Sequence, residues 1–195
     1  MNGGDEEALS RLMQTLEGDF AKAYNLRKGR SGAFWSDRYH AVMVERGEYL
    51  WRCLRYIDLN MVRAGVVRSP ADWNWCGYQE VAGLRVRYRV VDRELLAEAL
   101  GPGNTYASIA AHYLDTVAEA LRRTQLEREP WWTESLAVGG EAYIRDVAAL
   151  IRNRMEIEMR QEGTVWLARE ARSAYSHFSP TKTAAKTHYG PQTQA

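Results

Sequence analysis

Tyr56 and Asn60 stand one helical turn apart in the stretch Arg52-Cys53-Leu54-Arg55-Tyr56-Ile57-Asp58-Leu59-Asn60-Met61-Val62-Arg63. At about 100° per residue, Tyr49, Arg52, Tyr56, Asn60 and Arg63 share one edge of a helix. That edge carries two phenols, two guanidiniums and one carboxamide. Such groups can hold phosphate oxygens and stack against bases. From residue 27 to residue 68, nine Lys or Arg stand against four acids, while the whole chain has a formal charge of only +1. A local basic excess interleaved with Trp and Tyr is the footprint of phosphate-backbone and base-stacking contacts. A solvated helix face above ordinary core aromatics has the same composition. At this level both readings stay open.

The elements that must position these groups follow from periodicity. Leu9, Leu12, Met13, Leu16, Phe20, Ala23 and Tyr24 recur at helical spacing, which predicts a helix over about 6–26 that stops near Gly29. Phe34, Trp35, Tyr39, Val42 and Val44 favour a strand over 33–45, followed by a turn at Glu45-Arg46-Gly47. A helix over 48–64 comes next, with Leu50, Cys53, Leu54, Ile57 and Met61 as its core stripe and Gly65 as a left-handed cap. Val66, Val67, Pro70, Trp73, Trp75 and Tyr78 form an aromatic return packed back on that helix.

The second half reads as mostly helical. Residues 84–90 alternate basic and apolar side chains, as an edge strand or an extended arm would. Helices are predicted over 92–100, from an Asn104 or Thr105 cap to about 126, and over 140–161. A loop at 129–132 and a short strand at 164–167 complete the reading. The Thr-, Lys- and Gln-rich tail 179–195 reads as disordered.

The totals bound the function classes. A chain of 195 residues allows one domain, or one small domain with an extension. Cys53 and Cys76 form neither a metal motif nor a disulfide scaffold, and Cys53 reads as a buried thiol. No run of apolar residues is long enough for a membrane span, and the acidic start lacks a leader pattern. A cytoplasmic protein without a membrane partner is expected.

The stretch 30–78 resembles the REP-associated tyrosine transposases, a branch of the HUH single-strand DNA transposase superfamily. The matching residues are Gly29-Arg30-Ser31-Gly32 with Phe34-Trp35, then Arg38-Tyr39 and Glu48-Tyr49-Leu50. The most specific run is Tyr56-Ile57-Asp58-Leu59-Asn60-Met61-Val62-Arg63-Ala64-Gly65-Val66-Val67, leading to Pro70, Trp73-Asn74-Trp75 and Tyr78. Residues 132–139 resemble the C-terminal extension of longer members more weakly.

The resemblance implies an α+β fold: a remnant of a ferredoxin-like domain, helix-strand-helix, followed by a mostly helical extension. It places a partial transposase domain at 5–83, the extension at 84–178 and the tail at 179–195. Tyr56 would be the nucleophile, holding a DNA end as a 5′-phosphotyrosine. Asn60 would help bind a divalent cation, Mg2+ or Mn2+, that polarises the scissile phosphate. Arg38, Arg52 and Arg63 would hold phosphates. The implied partner is single-stranded or hairpin DNA, and a homodimer is left open.

The chain also departs from that pattern. The family's metal site needs a His-hydrophobe-His pair, whereas His40, His112, His177 and His188 are isolated. Met61 replaces the usual Pro, Cys76-Gly77 stands where Ser-Ser is common, and the family's first strands have no counterpart before residue 8. The expectation is an N-terminally truncated transposase that binds no tight magnesium and does not cleave DNA alone. Its strand at 38–45 would lack a neighbour to pair with. The alternatives are a noncatalytic DNA-binding remnant, a poorly folded fragment, or a helical interaction protein built on the helices at 104–126 and 140–161.

Overall fold

The computed structural model describes residues 4–36, 39–85, 89–122 and 126–171. Arg38, the centre of the basic piece 84–90 and the tail 179–195 lie outside the described residues. Among those described, eight α-helices and one mixed four-stranded sheet make an α+β fold.

Helix α1 spans Gly4–Lys28 and ends on basic residues that suit its C-terminal dipole. The chain then folds back along it. The indole N–H of Trp35 donates to the carbonyl of Glu17 at 3.1 Å, and the Asn25 carboxamide donates to the carbonyl of Gly32 at 3.0 Å. Phe34 lies 4.8 Å from the Tyr24 ring and Trp35 lies 5.7 Å from Phe20. The strand expected over 33–45 is thereby reduced to Met43–Val44, strand β1. The aromatic side chains that favoured a strand are those that strap this segment to α1.

Strand β1 is not left unpaired, which corrects a second expectation. It runs parallel to β2, Ala137–Gly139, with Met43 opposite Ala137 and Val44 opposite Val138. The Met43 and Glu45 N–H groups donate to the carbonyls of Leu136 and Val138 at 2.9 and 3.0 Å. A parallel partner arrives through a long crossover, so no local turn signal announces it.

Strands β3, Ile157–Glu162, and β4, Val165–Glu170, form an antiparallel hairpin, and the sheet order is β1-β2-β4-β3. The helix expected over 140–161 is therefore shorter: α8 covers Glu141–Ile151 only. Beyond a polar turn, Ile157 and Met159 alternate with Glu158 and Arg160, and period two builds a strand. The expected strand at 164–167 extends to Glu170, because β4 is central and pairs on both sides. The expected loop at 129–132 holds a helical turn, α7, Trp131–Glu134. The stretch after residue 84, expected to be mostly helical, thus supplies three of the four described strands.

Helix α2, Glu48–Asp58, continues after Leu59 as α3, Asn60–Arg63. The Leu59 N–H still donates to the Arg55 carbonyl at 3.0 Å, so the expected helix over 48–64 is nearly continuous. Gly65 closes it at φ +69, with its own N–H on the Val62 carbonyl and that of Val66 on Met61. These paired bonds are the left-handed cap that the sequence predicts. Next come the helical turn α4, Tyr78–Val81, then α5, Arg93–Leu100, and α6, Tyr106–Arg122. The Asp92 carboxylate caps α5 by accepting from the Glu94 and Leu95 N–H groups.

Packing forms three clusters. Leu59, Tyr78, Val81, Leu100, Ile109 and Tyr113 lead the helical core, against which Leu50, Trp51 and Leu54 of α2 pack. Val138, Val165, Leu167 and Trp132 form a second cluster with Tyr49, Cys53 and Tyr56. The other sheet face buries Ala137 and Ala168 under Ile144 and Val147 of α8. Helix α2 is therefore covered on two sides, by the sheet and by the helical core. This splits the single core stripe expected for it. Leu50 and Leu54 face one core, Cys53 faces the other, and Ile57 is 56% exposed.

Two glycines let the sheet meet α8 closely. A Cβ on Gly139 would lie 2.9 Å from Glu45 Cβ and would also collide with the Tyr143 ring. The open space lets the Glu45 carboxylate accept the Gly140 N–H at 2.6 Å, at the positive end of α8. No helix among the described residues is long and apolar enough to cross a membrane.

Candidate nucleic-acid cleft

The edge of α2 and α3 opens onto a cleft of about 320 Å³. Arg52, Arg55, Tyr56 and Arg63 line it from this edge. Helix α6, the segment before α7 and the first residue of α7 add Glu119, Glu127, Glu129 and Trp131. Sequence spacing alone brings Arg52, Tyr56 and Arg63 together, because one helix carries all three. It did not single out Arg55, the glutamates or Trp131 for this place. Only the Glu129-Pro130-Trp131 run hinted at a turn here.

Arg63 is held in place by the helix it follows. Its guanidinium donates to the Tyr56 carbonyl at 2.7 Å and to Asn60 Oδ1 at 3.3 Å. Its Cζ lies 3.9 Å from the centre of the Tyr56 ring, a cation–π contact. The ring also lies 6.2 Å from Trp132 and packs with the cluster around Val138 and Leu167. Tyr56 is thus half-buried and fixed in direction. Arg52 donates to Thr164 Oγ1 at 3.2 Å, which ties the cleft edge to the β3–β4 turn. Arg38 lies outside the described residues, so its expected place beside these groups is undescribed.

The residues around Asn60 do not suit a divalent cation. Its carboxamide oxygen accepts from a guanidinium, and a cation there would meet that positive charge directly. Among the described residues, no group of three His, Cys, Asp or Glu could hold a metal ion. His40 lies elsewhere, its Nε2 within 3.0 Å of the Ser135 carbonyl.

One half-buried thiol and one buried carboxylate lie on the cleft's supporting helix. Burial, with Glu129 adding to it, pushes the Cys53 thiol up to about 11, so it is unreactive at neutral pH. Asp58 is 3% exposed and went unremarked in sequence. Its carboxylate accepts from the Tyr113 hydroxyl at 2.6 Å and from the Gly77 N–H at 3.1 Å. Burial raises its pKa, while these hydrogen bonds act in the opposite sense. A charged residue between Ile57 and Leu59, one step before the helix break, was the signal available.

No family model, curated protein or solved structure matches this chain.

Proposed function

We propose that this chain is a DNA-binding protein of the tyrosine HUH transposase type, which engages single-stranded or hairpin DNA through the α2–α3 cleft. The observation that carries this is the convergence of Arg52, Arg55, Arg63, Tyr56 and Trp131 on one cleft. Guanidiniums would hold backbone phosphates, and Trp131 or Tyr56 would offer a face for a base. The ferredoxin-like ancestry of the helix-strand-helix at α1-β1-α2 belongs to the same proposal, as does the two-part division near residue 84.

In the strand transfer that the resemblance implies, Tyr56 Oη attacks phosphorus. A P–O bond to the phenol oxygen forms as the phenol gives up its proton, the bond to the 3′ oxygen breaks, and that oxygen takes up a proton, so the step balances. Among the described residues, no group of three His, Cys, Asp or Glu could hold the cation that this step needs, and Asn60 Oδ1 already accepts from Arg63. The proposal is therefore that it binds DNA, holds Mg2+ or Mn2+ weakly at most, and does not nick DNA alone. A noncatalytic DNA-binding remnant is the second reading, favoured by Arg63 lying across the Tyr56 ring.

The test is fluorescence anisotropy of a labelled DNA hairpin with single-stranded flanks against a matched duplex, across a salt series. Two or three phosphate contacts predict a log–log salt slope of about −2 for single strands. Arg52→Ala with Arg55→Ala should weaken binding at least about ten-fold. Tyr56→Phe should leave affinity nearly unchanged. Equal affinity for the duplex, or no effect of the double substitution, would remove the proposed cleft. A Tyr56-dependent covalent protein–DNA band would overturn the claim of inactivity.

A further inference from the structure

Helix α1 presents an apolar stripe that the other described residues leave largely uncovered. Leu12 and Leu16 are 60% and 59% exposed, with Leu9 and Phe20 open beside them. The returning segment covers one flank, where Tyr39 reaches Ser10 and Trp35 reaches Glu17, and packs Phe34 on Tyr24 and on one side of Phe20. Trp35 itself remains half-exposed at the rim of the stripe, against Phe20. Leu9, Met13, Leu16, Phe20 and Ala23 are separated by alternating steps of four and three, the spacing of a two-helix seam. A contiguous apolar patch of this kind marks an interaction surface.

We infer that the partner is a second copy of this chain, with the two α1 helices packed antiparallel. Charge polarity carries the choice. In sequence α1 opens on Asp5, Glu6 and Glu7 and closes on Arg27 and Lys28. Antiparallel pairing about a two-fold axis beside Leu16 sets each acidic end against the partner's basic end. The same register sets Leu9 against Ala23, Leu12 against Phe20 and Leu16 against its own copy, so the exposed apolar stripe is self-complementary, as an isologous interface requires. Parallel pairing would set like charge against like. A membrane surface fits less well, because Glu17 and Asp19 accompany the stripe where a surface-binding helix carries Lys and Arg. Two helices of this length offer a contact of roughly 36 Å by 10 Å, which is small for a stable dimer and predicts micromolar or weaker association.

Sedimentation equilibrium of the full chain, from low micromolar to near-millimolar concentration, tests this. The expected result is a reversible monomer–dimer equilibrium that Leu16→Glu converts to monomer throughout. Far-UV circular dichroism should be unchanged, because Leu16 is exposed. Orientation is read by oxidation of single-cysteine variants in a background with Cys53 and Cys76 replaced by serine. Leu16→Cys should cross-link to its copy across the axis, whereas Leu9→Cys, roughly 22 Å from its copy, should not. A monomer at every concentration overturns the proposal. So do a dimer that survives Leu16→Glu, efficient cross-linking through Leu9→Cys, and a monomer that sediments with anionic vesicles.

Discussion

Helices α1 and α2 both carry apolar side chains at helical spacing, and they bury them to different extents. Helix α2 lies between the sheet and the helical core, with Leu50 and Leu54 against one and Cys53 against the other. Helix α1 is more than twice as long, yet its described partner is the strap at 31–36 and its leucines stay exposed. An amphipathic pattern states that a face needs covering and is silent about what covers it. In α2 the cover comes from distant parts of the same chain. In α1 it is left to the proposed second copy.

Substitutions at matched depth break or sharpen this contrast. The largest effect is expected at Asp58. Asp58→Ala strands the fully buried Tyr113 hydroxyl and the Gly77 N–H, and should cost roughly 2–4 kcal/mol in urea unfolding. Leu16→Ala on α1 should change monomer stability by about 0.5 kcal/mol or less, since it removes little buried area. Equal losses at the two sites would mean that α1 has an intramolecular partner.

Gly139→Ala should come next. Its new methyl would press on Glu45 and Tyr143, where the sheet meets α8, for a loss of roughly 1–3 kcal/mol. A thermal midpoint unchanged from the parent would show that Glu45 swings away freely.

The pH dependence is the smallest expected effect and the most specific. Burial holds the folded pKa of Asp58 above its unfolded value. Between those values the folded state binds more protons than the unfolded state, so this group's contribution falls as pH rises through the window. Asp58→Asn removes the titration and can retain the hydrogen bonds to Tyr113 and Gly77. The difference in urea midpoint between the parent and Asp58→Asn should therefore grow in favour of Asn as pH rises above the ordinary carboxylate range. A flat difference would place the Asp58 pKa at its ordinary value in the folded chain.

Parts of the site were legible because one helix carries them. Arg52, Tyr56 and Arg63 share an edge by spacing alone, and the structure keeps them on one cleft. The three glutamates and Trp131 were not singled out for it, because α6, α7 and the segment before α7 reach α2 only in space. The contacts of Arg63 within its own helix were not legible either. Its guanidinium is engaged by Tyr56 and Asn60 of its own helical stretch, a contact that helical spacing permits without requiring.

What the sequence by itself determined was local. It determined α1 and its stop near Gly29, the helix from Glu48 to the cap at Gly65, and the short helix that begins beside Asp92. Each rests on groups within a few residues of one another, where dihedral preference and nearest-neighbour hydrogen bonds decide. The tertiary structure alone decided the partner of β1, the end of α8 at Ile151 and the use of Phe34 and Trp35 as a strap. It alone also decided the burial of Asp58 against Tyr113. Those outcomes depend on surfaces far apart in the chain meeting and excluding water together. Burial and pairing are properties of the assembled surfaces, and no single stretch carries them.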